Sequence, residues 1–283
     1  MHHPHFRPLG YQQGDLCTNL VGVNHELLPL ALDALAEART SLATQSRRVI
    51  DTKSSDTDPV TAADRALERA IRETIAKQRP HDSFIGEEYG LTRQAQSNTR
   101  WIVDPIDGTV NYSYSIPSYA ISIAAEVNGR IEVGLVFDVG HNELFQAVRG
   151  QGATCNGEPI RPSDQTELAQ ALCGTGFGYS AATRKLQAQV LLEVIDEIRD
   201  IRRFGAAAID ICWAGAGRID GYFETGLKVW DYAAASLVAT EAGANFITDL
   251  PGIGDDGLTI VAGPALFEAL QARIAGLYRQ ANS

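Results

Sequence analysis

Apolar positions recur at helical spacing in two early segments. Over residues 26–46, Leu28, Leu32, Leu35, Ala36, Ala38 and Leu42 predict an amphipathic helix. Over Thr61–Gln78, the stripe Leu67, Ala70, Ile71 and Ile75 predicts a second, with Thr61 as its N-cap. A polar loop, Asp51–Pro59, separates them. β-rich runs follow: Ser83–Gly86 ends in Glu87-Glu88, and Arg100–Val103 ends in Asp104. Residues 119–127 and 130–138 flank Asn128-Gly129, a pair that tolerates positive φ and so predicts a hairpin. Glu143–Arg149 adds a further strand. This half reads as helices followed by an antiparallel meander.

The second half alternates. Ala171–Gly174, Ile201–Phe204, Gly221–Glu224, Asn245–Thr248 and Leu258–Ala262 read as strands. Arg184–Ile198, Ala206–Ala216, Trp230–Ala242 (with Gly243 as C-cap) and Ala265–Gln280 read as helices. The alternation predicts an α/β half. Gly157, Pro159 and Pro162 interrupt any pattern, which places a boundary between an N-terminal half, 1–155, and a C-terminal half, 156–283. There is no repeat and no long linker, so the halves are expected to share an interface.

Charge narrows the function. The 283 residues carry 24 Lys and Arg against 35 Asp and Glu, a net charge of −11, which argues against a nucleic-acid partner. With 45% hydrophobic residues the composition is that of a folded chain, and no run reaches the roughly 18 apolar residues of a membrane span. The four cysteines form no CxxC pair, so they indicate neither a zinc site nor a redox motif. Met1–Leu9 has no apolar signal core, and cytoplasmic localisation is the expectation; His2, His3 and His5 read as part of a frayed terminus.

Acidic residues gathered at one point can bind metal, and Trp101-Ile-Val-Asp104-Pro-Ile-Asp107-Gly108-Thr109 gathers them. An apolar strand runs into two carboxylates three residues apart. Pro105 is expected to stop the regular strand, and Gly108 permits a sharp turn into a helix start. Carboxylates attract hard cations such as Mg2+, and N–H groups at a helix start attract phosphate oxygens. Asp is also common in ordinary turns, so the segment gains weight only beside other strand-end carboxylates, Glu87-Glu88 and Asp231.

Together, Gly86-Glu87-Glu88, the Asp104-Pro-Ile-Asp107-Gly108-Thr109 element, Trp230-Asp231-Tyr-Ala-Ala-Ala235 and Thr61-Ala-Ala-Asp64 resemble the signature set of the inositol monophosphatase family, over nearly the whole chain from about residue 26. The resemblance implies a layered αβαβα sugar-phosphatase fold, a homodimer, and two to three Mg2+ ions, with lithium sensitivity common among such enzymes. It implies Glu87, Asp104, the Ile106 carbonyl, Asp107 and Asp231 as metal ligands, Glu87 and Asp231 also touching the reacting group. It implies phosphate on the Gly108 and Thr109 N–H groups, Asp64 and the Thr109 hydroxyl as the pair that orients and deprotonates the attacking water, and Lys53 on a mobile loop near the metals; Lys53 also fits an ordinary exposed lysine. Metals about 3.5–4 Å apart could then clamp the attacking and leaving oxygens of an in-line displacement. No phosphatase-like CxxxxxR loop or Walker A motif competes with this reading.

For the alcohol, Glu224 matches a Glu that bonds inositol hydroxyls, or is an ordinary strand-end acid, and Ala207 matches a small residue at the substrate. Asp210 is nearby, facing either the pocket or solvent. Val110-Asn111-Tyr112 and Ser118-Tyr119 are similar to the inositol-phosphate branch rather than to histidinol phosphatases, while Ser115 stands where Gly is common. The expected substrate is a small phosphorylated polyol, inositol-1-phosphate. Histidinol phosphate, fructose 1,6-bisphosphate and NADP stay open, as does an interaction role with transcription-associated factors. His25, His81 and His141 have no part in the expected chemistry.

Overall fold

The computed structural model describes residues 17–45, 49–52, 59–92, 97–248, 250 and 257–281. The His-rich start and Lys53 lie outside them. Helix α1 (Cys17–Leu42) starts and ends before the expected limits and carries Pro29 within it. Its buried stripe is Leu27, Leu30, Ala31, Ala34, Leu35 and Ala38. The stripe is thus rotated from the expected one: Leu28, Leu32 and Leu42 flank it and Ala36 is exposed. A small antiparallel pair follows, β1 (Val49–Thr52) with β2 (Pro59–Thr61). Helix α2 (Ala62–Gln78) begins at its expected cap, Thr61.

Then come β3 (Ser83–Gly86), β4 (Gly90–Thr92), β5 (Thr99–Asp107) and the short α3 (Thr109–Ser113). The meander is β6 (Ala120–Val127), β7 (Arg130–Asp138), β8 (Glu143–Val148), β9 (Ala153–Cys155) and β10 (Glu158–Pro159). These eight strands form one sheet in the order β10-β9-β8-β7-β6-β5-β3-β4, antiparallel except where β3 runs parallel to β5. Pro105 does not end β5. Pairing with β6 passes from Asp104↔Ser122 to Asp107↔Ala120, so three residues of β5 advance against two of β6. The irregularity absorbs the residue that lacks an N–H donor.

The second sheet has the order β12-β11-β13-β15-β14, built from β11 (Leu172–Thr175), β12 (Asp200–Arg202), β13 (Gly221–Thr225), β14 (Asn245–Ile247) and β15 (Leu258–Ala262). Its helices are α4 (Ala181–Val194), α5 (Ala207–Gly215), α6 (Val229–Glu241) and α7 (Pro264–Ala281).

Three apolar clusters give the layer order. One lies between α1/α2 and the first sheet around Trp101, Leu67 and Ile123. A second fills both faces of α5 and α6, against the first sheet through Ile102 and Phe145 and against the second through Tyr222 and Val261. The third lies under α4 and α7 around Phe223, Ile260 and Leu270. The order is α1/α2, sheet, α5/α6, sheet, α4/α7, the expected αβαβα arrangement. Among the described residues no helix is long and apolar enough to cross a membrane, and Cys155, Cys173 and Cys212 are free thiols.

Candidate active site

Elements from both sheets end at one cavity of about 530 Å³. From the first sheet, β3 delivers Glu87 and β5 delivers Asp104, Ile106 and Asp107. From the second half, α5 contributes Ala207 and Asp210, β13 Glu224 and α6 Asp231. Gly108 sits at φ 92°, and a Cβ there would stand 3.0 Å from both the Gly205 and Ser118 carbonyl oxygens. Only glycine fits this crossing, which turns β5 into α3 and brings Thr109 back over the strand end. Ser115 also adopts positive φ, 62°, a conformation suited to the Gly expected at that position.

Asp104, 2% exposed, receives the Ile106 N–H on Oδ1 at 3.0 Å, which fixes the strand-end turn. Thr109 Oγ1 lies 3.0 Å from Asp64 Oδ1 and 3.0 Å from the Ile106 carbonyl oxygen. Asp64 is fully buried and belongs to the α2 capping box: its Oδ2 accepts the Thr61 N–H at 2.8 Å and the Thr61 hydroxyl at 2.5 Å. The cap that starts α2 therefore orients the carboxylate that faces Thr109. Asp107 accepts the Ala208 N–H at 2.7 Å and the Ala207 N–H at 3.2 Å, capping α5 from the other sheet. Ala207 lines the cavity, with its N–H engaged in this way. Asp231 is the third residue of α6 and accepts the N–H of Lys228, the N-cap, at 2.6 Å.

The electrostatics are those of a site short of positive charge. Among the described residues, six carboxylates line the cavity, with Arg203 and Lys228 as cations. Burial, and the Glu87 charge, hold Asp107 above the usual carboxylate range although two N–H bonds pull it down. Burial and the Asp107 charge do the same to Asp231. Burial pushes Glu224 up to about 7, against the hydrogen bond from the Tyr222 hydroxyl and the Arg203 charge. Glu224 and Asp231 keep a partly exposed edge on the cavity, although protein encloses them at longer range. Asp210 faces the cavity side rather than solvent: it is 1% exposed, its Oδ1 has no hydrogen-bond partner, and burial with the Glu224 charge raises it well above its ordinary value.

Oxygens of Asp64, Glu87 and Glu88 lie within 4.8 Å of one another. An all-oxygen, mostly carboxylate donor set fits a hard divalent cation, and it stands beside carboxylates that burial first, and neighbouring carboxylates second, hold above their ordinary range. Glu88 joins this group, although the family resemblance implies only Glu87 of the pair as a ligand. Arg203, which also lines the cavity, carries no signal in the sequence. Arg203 stands two residues before Gly205, and only the folded loop turns it into the cavity.

The layered fold and its carboxylate-lined cavity define a sugar-phosphatase type of α/β protein. Residues 23–281 match the inositol monophosphatase family, and the chain belongs to that family. It is 44% identical over 231 residues to the inositol-1-monophosphatase of Mycobacterium bovis, covering 78% of this chain and 80% of that one. It is 38% identical over 259 residues to the Nus factor SuhB of Escherichia coli K12, covering 88% and 96%. Among solved structures, Mycobacterium tuberculosis SuhB superposes with a TM-score of 0.75 at 37% identity, over 93% of this chain and 98% of that one. The family is one of Mg2+-dependent phosphatases, and the acidic cluster here can hold metal.

Proposed function

We propose that this chain is a Mg2+-dependent phosphomonoesterase that hydrolyses inositol-1-phosphate to myo-inositol and phosphate by direct attack of water. One observation carries the reading: six carboxylates converge on a single cavity beside a buried Thr109–Asp64 pair. Glu87, Asp104, the Ile106 carbonyl, Asp107 and Asp231 would hold two to three ions. Bound there, Mg2+ supplies positive charge to the phosphoryl and leaving oxygens and lowers the pKa of water.

The chain's own groups do the rest. The Gly108 and Thr109 N–H groups receive the phosphate at the left-handed turn. With the Ile106 carbonyl engaged, Asp64 is the remaining acceptor for the Thr109 proton at 3.0 Å. The Thr109 oxygen then presents a lone pair to the attacking water and takes its proton, while Asp64 accepts the proton of Thr109. Glu224, held by Tyr222, faces the hydroxyls of the alcohol, and Ala207 leaves room for the ring. No covalent phosphoenzyme is needed, and no imidazole enters.

The test is phosphate release from inositol-1-phosphate, histidinol phosphate and fructose 1,6-bisphosphate, each with and without Mg2+. Preference for inositol-1-phosphate with Mg2+ dependence is expected. Preference for another ester would overturn the alcohol-pocket assignment, and no release from any would overturn the phosphatase reading. A second reading, partnership with a transcription factor, draws on the 38% identity to proteins named Nus factor SuhB. The complete carboxylate set favours catalysis, since docking alone has no use for it. Asp104→Asn separates the two: a docking role would survive it. A homodimer is proposed from the resemblance, with the exposed Tyr114 and Ile116 as candidate contact residues; sedimentation equilibrium would test it.

A further inference from the structure

Glu68 lies on α2, one turn after Asp64, outside every motif that carries the family resemblance. It is fully buried. Its carboxylate accepts the Glu88 N–H at 2.7 Å and the Tyr89 N–H at 3.4 Å, and its Oε1 pairs with Arg72 Nε at 2.8 Å. Arg72 continues to the far side of the same turn, donating to the Gly90 carbonyl at 2.8 Å. Gly86 has no side chain for the same reason: a Cβ there would lie 2.0 Å from Glu68 Oε1. The residue between these anchors is Glu87.

Glu87 is held at both of its peptide planes. On one side its N–H donates to the Val103 carbonyl at 3.3 Å, on β5 one residue before Asp104. On the other, the peptide linking it to Glu88 is fixed through the Glu88 N–H by Glu68. Setting the plane of that peptide sets ψ of Glu87, and with both planes set the Cα–Cβ direction follows. Asp64, Glu87 and Glu88 bring carboxylate oxygens within 4.8 Å of one another, with Arg65 Nε 3.8 Å from Glu88, and keeping that spacing needs a restrained turn. Glu68 and Arg72 supply that restraint as an ion pair at the back of the turn.

We infer that Glu68 is a positioning residue for the metal centre: it pre-sets Glu87 against Asp104 and thereby raises Mg2+ affinity without touching metal or substrate. This rests on the phosphatase reading above. Partners that orient a metal ligand typically change affinity by 10–100-fold.

The experiment measures Mg2+ binding to the full chain by calorimetry, alongside phosphate release from inositol-1-phosphate over a Mg2+ series. Glu68→Gln keeps one acceptor oxygen but loses the Arg72 ion pair. Gly86→Ala keeps the Glu68 charge and displaces it. Both should weaken Mg2+ binding by about 10-fold or more and raise the Mg2+ half-saturation in parallel, with kcat recovering at saturating Mg2+. Ile71→Val, a core lesion on the same helix, should lower Tm and leave Mg2+ affinity unchanged. Parent-like Mg2+ affinity in both turn variants would overturn the inference while leaving the phosphatase reading intact. So would equal weakening in Ile71→Val. A parent chain that binds no Mg2+ and releases no phosphate would overturn both.

Discussion

Thr109→Val keeps the shape of the side chain and removes one oxygen. That oxygen, in a residue 4% exposed, lies 3.0 Å from Asp64 Oδ1. Two consequences separate. Asp64 Oδ1 loses a donor in a buried place while Oδ2 keeps both Thr61 bonds, a cost of about 1–3 kcal/mol. Scanning calorimetry should record this as a fall in Tm of about 2 °C per kcal/mol for a chain of this size. In the proposed relay, turnover loses the proton acceptor for water, and general-base contributions run to 10²–10⁴-fold, or about 3–5 kcal/mol in the barrier. The loss should fall on kcat, with KM for the ester and the Mg2+ half-saturation little changed, because the hydroxyl is proposed to act in the transition state. Steady-state phosphate release at saturating Mg2+ is the assay, run also on Asp64→Asn and the double variant. Two residues acting as one unit lose little more together than the worse loses alone. A loss below about tenfold, ~1.4 kcal/mol, in Thr109→Val would refute the relay, and so would a double variant that loses the product of the two single effects.

Three further outcomes are expected. Asp107 and Asp231 hold their protons more tightly in the metal-free native chain than in the unfolded one. Their contribution to stability in EDTA should therefore be full below about pH 4 and be lost as pH rises through about 7 to 8, and the gain in Tm on adding Mg2+ should be larger at about pH 8 than at about pH 6; equal gains would contradict the electrostatic account. Gly134→Ala would place a Cβ 2.5 Å from the Ala234 carbonyl oxygen of α6, so calorimetry should find about 1–3 kcal/mol of overpacking. Asp82 accepts from Arg79, Ser97 and the Trp101 indole N–H at 2.5, 2.6 and 2.9 Å, and Asp82→Ala should cost about 3 kcal/mol in denaturant unfolding with kcat unchanged at temperatures where the variant is folded.

Local chemistry made much of this legible. Thr61 announced the start of α2, Asn128-Gly129 its hairpin, and the run from Trp101 to Thr109 its acidic turn, because each depends on residues a few positions apart. The face of α1 was not legible in the same way. Its leucines and alanines cover more than one face, and only packing against the first sheet selects Leu27 and Leu30 over Leu28 and Leu32. Pro105 misled for a related reason: a proline rules out one hydrogen bond, and a shift of register on β6 can do without it. The sequence leaves Asp210 open between pocket and solvent, and Glu68 is invisible as a functional group. Nothing in their neighbours distinguishes them from surface acids on a helix, and their roles come from partners 14 to 21 positions away, Glu224 for one and the 88–89 turn for the other.

Six carboxylates at one cavity need something to hold them before a cation binds. The middle layer supplies part of it. Both of its helices begin at the cavity, α5 with its first two N–H groups on Asp107 and α6 with its N-cap N–H on Asp231. Each start carries roughly half a positive charge, worth about 0.3–1 kcal/mol to a nearby carboxylate and up to about 2 kcal/mol when partly buried. That is less than the opposing effect, since Asp107 and Asp231 still lie above the ordinary carboxylate range because burial and mutual repulsion outweigh the N–H bonds. The helix starts thus fix where the carboxylates point without neutralising them. Had they neutralised them, the cavity would have little left to offer a cation. The order of layers, with α5 and α6 between two sheets, thus aims at one cavity two of the carboxylates proposed to hold the cation.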